Sequence, residues 1–213
     1  MQLTKQRSPH YEINNEMFSG ITHGIGLGAA IVGTIALGFK ADGDPLRLIT
    51  FLGFGIGLII LYTASTAFHG FYFTKARHVL QVLDHSGVFI LIAASYLPYC
   101  LVAIGGARGW WLLGTIWTLC LAGILYECFF VGRFRLLEVA IYIVLGWLCI
   151  TAMQPLWFHL GSIGFWLLVG GGVAYTLGAV LYAQKQIPYI HVIWHLFVMA
   201  GSLLMYLSIY NFV

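Results

Sequence analysis

Charge is what this chain lacks most. Only 8% of its 213 residues are Asp, Glu, Lys or Arg, while 61% are hydrophobic. Soluble domains carry about 25% charged residues, so there is too little charge here to coat a globule with solvated side chains. An integral membrane protein is expected. The net charge of +3 is small and dispersed; it excludes the basic surface that nucleic-acid binding requires, and no nucleic-acid partner is expected. Cysteine is scarce too: Cys100, Cys120, Cys128 and Cys149 lie in apolar stretches without C-x-x-C spacing. They read as small apolar packing residues. No H-E-x-x-H run occurs, which removes the metalloprotease signature with its built-in glutamate base. The first 17 residues are polar and hold Lys5 and Arg7, with no short apolar core ahead of a small-residue cleavage site, so no signal peptide is expected.

What the chain does have is apolar length. A bilayer-spanning helix needs about 20 mostly apolar residues, and seven stretches qualify: 18–39, 48–70, 80–104, 110–131, 136–156, 162–183 and 189–212. The breaks between them are short and rich in charge, Gly or Pro ("KADGDP", "TKAR", "GGARG", "GRFR", "QKQIP"). The expected fold is all-α, a single seven-transmembrane helix bundle over residues 1–213 with a short polar N-terminal segment. Lys and Arg favour cytoplasmic flanks. With the N-terminus inside, the cytoplasmic segments hold Lys5, Arg7, Lys75, Arg77, Arg133, Arg135 and Lys185, against Lys40, Arg47 and Arg108 outside. The expected topology is therefore N-terminus cytoplasmic, C-terminus outside. Small residues at Gly20, Gly24 and Gly28 fall on one helix face and invite close helix approach.

Ionisable residues inside spans are costly and point to function. Ser65 and His69 stand one turn apart at the end of the second span, and Asp84 about one turn into the third. His191 and His195 occupy the first two turns of the seventh, just after Pro188. Under the expected topology all five fall at cytoplasmic helix ends, within reach of one another. His69, His191 and His195 as metal ligands would leave one position open, the coordination of a catalytic zinc site. Asp84 would orient a zinc-bound water or accept its proton, and Ser65 would hydrogen-bond that water or a substrate oxygen. Zinc lowers the pKa of bound water to about 7 and polarises carbonyls. A histidine–carboxylate proton relay explains much of the same placement. His23 reads as support for the site or as a hydrogen bond between helices. Glu127 reads as pairing locally or snorkelling, Glu138 as interfacial, and His85 as flanking the site without a ligand role. Pro98 is expected to kink the third span.

Four ordered motifs, "EMFSGITHGIG", "STAFH", "LDHSG" with "SYLP" downstream, and "IPYIHVIWH", cover nearly the whole chain. Together they resemble the hemolysin III proteins, the bacterial branch of the progestin and adipoQ receptor superfamily. The resemblance implies zinc held by His69, His191 and His195, with Asp84 acting through the zinc-bound water and Ser65 close by. It also implies a multi-pass protein of the bacterial inner membrane. Glu16, Thr22 and His23 match the family pattern; Ser19 departs from it, standing where Asn is usual.

Two classes of function follow. One is an intramembrane zinc hydrolase of ceramidase-like type, cleaving a lipid amide or ester near the cytoplasmic face. The other is non-enzymatic: membrane lysis or regulation of membrane state, with zinc structural. Membrane lipids are the expected partners in either case, and nothing in the sequence sets an oligomeric state.

Overall fold

The computed structural model of the protein describes residues 8–184 and 186–213. Lys5, Arg7 and Lys185, which carry part of the orientation argument, lie outside the described residues. Among the described residues the chain is all-α, without a strand: α1 (Pro9–Lys40), α2 (Pro45–Gly70), α3 (Arg77–Pro98), α4 (Gly106–Phe130), α5 (Arg135–Trp147), α6 (Met153–Tyr182) and α7 (Ile190–Phe212). The helix ends follow local chemistry. Ser8 caps α1 by accepting from the Tyr11 amide, and Asp44 caps α2 by accepting from the amides of Leu46 and Arg47 at 2.8 and 3.1 Å. Each cap is followed by a proline at the first helical position, where no amide is missed.

Among the described residues, six helical stretches are long and apolar enough to cross a membrane. Their outward faces carry Ile25, Val32, Phe39, Trp111, Leu125, Phe129, Phe158 and Trp166, all exposed. Water would make such a surface insoluble; lipid makes it the natural exterior. The protein is an integral membrane protein.

One of the six stretches, Arg135–Tyr182, runs for 48 residues through α5, a 3-10 turn at Leu148–Ala152, and α6. A straight helix of that length would measure about 72 Å, more than twice the roughly 30 Å hydrocarbon core. It is not straight. The Arg135 guanidinium donates to the Tyr182 carbonyl, and Trp147 Nε1 donates to Thr176 Oγ1 at 2.9 Å. The two ends of the run therefore touch, so it folds back on itself. The reversal falls at Gly161, where φ is +62°, a backbone state that side-chain-bearing residues avoid.

Pro98 ends α3 and is followed by a π-helical turn over Tyr99–Ile104. Beside it, the Tyr96 hydroxyl faces the carbonyls of Leu145 and Gly146 and accepts from the Cys149 amide at 2.9 Å. That one side chain satisfies backbone groups freed where α5 loosens into its 3-10 turn. In the bundle, α2 packs between α1 and α3, α6 packs on α7, and α7 closes against α1. Of the expected small-residue face, Gly20 and Gly24 do meet α2, near His69 and Thr66, while Gly28 faces open space. Tighter approaches lie elsewhere, among them Gly55 against Thr34 and Gly57 against Ala94. Contact between α1, α2 and α7 sets the depth and rotation of the three histidines.

Candidate metal centre

His69 is the penultimate residue of α2, and His191 and His195 lie one turn apart at the start of α7. Helix α7 begins at Ile190 rather than at Pro188, because Tyr189 adopts a left-handed conformation (φ +54°). The Tyr189 amide donates to the Tyr11 hydroxyl of α1 at 2.7 Å. That contact ties the first turn of α7 to α1.

The three imidazoles converge through their Nε2 atoms. His191 Nε2 stands 3.0 Å from His69 Nε2 and 3.1 Å from His195 Nε2. His195 is 1% exposed and His69 5%. On the far sides of the rings, His69 Nδ1 is 2.7 Å from Glu16 Oε2, and His195 Nδ1 is 3.1 Å from the Ser19 carbonyl oxygen. A carboxylate and a carbonyl accept and do not donate, so both Nδ1 atoms carry a proton, and in the neutral imidazoles both Nε2 atoms present a lone pair. His191 Nε2 then faces two lone pairs. One proton on His191 satisfies one of those contacts and leaves the other a repulsion between lone pairs.

A cation removes that conflict. Four-coordinate zinc with Zn–N of about 2.0–2.1 Å separates ligand nitrogens by roughly 3.3 Å, close to the spacing observed. The Nδ1 partners are also the kind that metal-bound histidines require, since they fix tautomer and ring orientation. The residues present fit a metal ion.

His23 stacks on His195, with ring centroids 3.5 Å apart and planes 7° from parallel, and both its nitrogens are buried without a hydrogen bond. It therefore braces the His195 ring and does not link helices through a hydrogen bond. Ser19 contributes its backbone carbonyl; its hydroxyl is buried with no partner. Asp84 is buried two turns into α3, among Ser65, His69 and His85. Ser65 is wholly buried and its hydroxyl makes no hydrogen bond.

A cavity of about 110 Å³ opens beside the histidines. Asp84, His23, His191 and His195 line one part of its wall; Ser65 and His69 do not reach it. From there the wall follows α7 through Val198 to Met205, and α3 from Leu91 on to Tyr99 in the π-helical turn. The fourteen helical steps from His191 to Met205 rise about 21 Å, so the cavity is deep, and its wall is overwhelmingly aliphatic and aromatic.

Three sequence-based expectations change here. Glu127 neither pairs with Arg133 nor snorkels; it is 0% exposed, and neither carboxylate oxygen makes a hydrogen bond. Glu138, in the first turn of α5, is buried inside the bundle, 3% exposed, instead of facing outward. His85 does more than flank the site, because its Nδ1 lies near both carboxylates, so the three could hold a metal ion of their own. Sequence reasoning reached Glu16 only as a motif match; the contact with His69 gives it a task.

Comparison with known proteins agrees with the motifs. The profile of the family described as "Haemolysin-III related" matches residues 11–206. A Bacillus cereus protein named Hemolysin-3 is 38% identical over 203 residues, covering 94% of this chain and 93% of its own. The Hemolysin-3 homolog of Bacillus subtilis (strain 168) is 39% identical over 201 residues, covering 93% and 94%. The human monocyte to macrophage differentiation factor is 29% identical over 200 residues, covering 90% and 81%.

Proposed function

The chain belongs to the haemolysin-III-related family, and we propose that it is a seven-span zinc protein hydrolysing a lipid amide or ester near the cytoplasmic face of the bacterial inner membrane. The observation that carries this reading is the convergence of three Nε2 atoms, two of them committed to lone pairs by their Nδ1 partners. Counting the folded-back run Arg135–Tyr182 as two spans brings six stretches to seven. An odd number, with the Lys and Arg excess at one set of loops, supports a cytoplasmic N-terminus and an outer C-terminus.

His69, His191 and His195 would hold the ion. Bound zinc supplies Lewis acidity, which eases loss of a proton from water and polarises a carbonyl. Asp84, on the cavity wall beside the trio, accepts a proton from water and returns it to the leaving amine or alkoxide. Ser65 stands beside Asp84 and off the cavity wall, so it does not touch substrate; its hydroxyl, which has no partner, would orient the carboxylate by turning to donate to it. The apolar wall running toward Met205 and Tyr99 takes the acyl chain and excludes water, and the polar end lined by Asp84, His191 and His195 meets the carbonyl at the chain's head.

The test is fatty-acid release by purified, zinc-reconstituted protein from a panel of lipid amides and esters. Asp84→Asn should abolish release while keeping its metal, read by mass spectrometry. Release unaffected by His191→Ala would sink the zinc mechanism.

One finding favours a second reading: the name of the Bacillus cereus relative, Hemolysin-3. If this chain permeabilises membranes with zinc in a structural role, vesicle conductance should appear with wild type and fall only as far as His69→Ala unfolds the bundle.

A further inference from the structure

Apart from the histidine trio, the helix bundle holds a second buried polar cluster. His85 comes from α3, Glu127 from the last turn of α4, and Glu138 from the first turn of α5. The short turn between α4 and α5 brings the two glutamates to the same depth. His85 Nδ1 is 2.5 Å from Glu138 Oε1 and 3.6 Å from Glu127 Oε2, and it has hydrogen-bond geometry to neither. The Tyr142 hydroxyl donates to Glu138 Oε1 at 3.0 Å. Glu127 has no such help. It is completely buried, and both its oxygens lack a hydrogen bond.

Two carboxylates this deep cannot both stay charged against one imidazole. An isolated buried carboxylate costs many kcal/mol, and burial persists only with protonation, pairing or a metal. We infer that His85, Glu127 and Glu138 form a second metal site, taking a first-row divalent cation such as zinc or manganese. Two carboxylates cancel the ion's charge, and a neutral imidazole completes a mixed N/O donor set of the kind those ions accept. Ligand distances of about 2.0–2.2 Å with angles between 109° and 120° separate donor atoms by roughly 3.3–3.6 Å. The Glu127–His85 spacing of 3.6 Å already fits that bridge. Glu138 needs to open by about 1 Å, which rotation of its carboxylate supplies. His85 and Glu138 share the cavity wall with Asp84 and His191, so an ion can reach both sites from one space.

This site does not depend on the trio, and metal counting separates them. Full-length protein in detergent is stripped with a chelator, reloaded with zinc or with manganese in separate arms, washed, and its metal per chain measured by mass spectrometry. Wild type should retain two equivalents. His191→Ala/His195→Ala should keep one, and Glu127→Gln, an isosteric change, should also keep one. Wild type saturating at one equivalent that survives Glu127→Gln overturns the inference, as does Glu127→Gln keeping two. A single equivalent lost in Glu127→Gln but kept in the double-histidine variant would support this site and overturn the trio. Should Glu127→Gln fail to yield monodisperse protein, anomalous scattering from wild type at the metal edge decides. A peak at the Glu127 carboxylate supports the site, and none there overturns it.

Discussion

Glu16 offers the sharpest test of how the trio is organised. It sits two turns into α1, 53 residues from His69, yet its Oε2 lies 2.7 Å from His69 Nδ1, the length of a charge-assisted hydrogen bond. The pair is almost sealed, with side-chain exposures of 1% for His69 and 11% for Glu16. Glu16→Ala removes the acceptor that holds the proton on Nδ1, so the His69 ring is free to swing and to change tautomer. Losing such a partner costs about 10–100-fold in metal affinity, equivalent to about 1.4–2.8 kcal/mol. Glu16→Gln keeps a carbonyl oxygen in place and should lose less. The assay is competition between the purified protein and a fluorescent zinc chelator, with Glu12→Ala, exposed one turn nearer the start of α1, as the control. A zinc dissociation constant for Glu16→Ala within twofold of wild type would refute the orienting role. It would also remove the reason for assigning the lone pair to His69 Nε2.

Other expectations are simpler. Tyr96→Phe strips the hydroxyl that serves Leu145, Gly146 and the Cys149 amide, and stranding those buried groups should cost about 1–3 kcal/mol, seen as a drop of several degrees in the thermal unfolding midpoint in detergent. Gly57→Ala puts a methyl onto Ala94 at the α2–α3 contact; the overpacking penalty of about 1–3 kcal/mol should outweigh the helix-propensity gain of about 1 kcal/mol. Gly28→Ala, with open space around it, should leave the midpoint unchanged or raise it. Ser65→Ala should leave folding intact, since the hydroxyl has no hydrogen bond to lose, while lowering lipid hydrolysis by removing the donor that turns to Asp84 during turnover; an unchanged turnover would refute that role.

Much of this protein was legible in one dimension. Scarce charge and long apolar runs decide for a membrane, because burying or solvating surface is a matter of composition. The spacing of His191 and His195 puts both on one face of α7, because helical periodicity is local. His69 and Asp84 could be matched to them by depth alone, since a bilayer aligns helix ends. Rotation of one helix against another is not local, and sequence periodicity does not supply it. In the sequence Glu127 reads as locally paired or snorkelling and Glu138 as interfacial; the packing of α3, α4 and α5 turns both inward onto His85. Glu16 and the Ser19 carbonyl became partners of His69 and His195 only when α1 settled between α2 and α7. Composition and periodicity determine what crosses the membrane and which side chains share a face, whereas the mutual rotation of packed helices decides which of those faces meet.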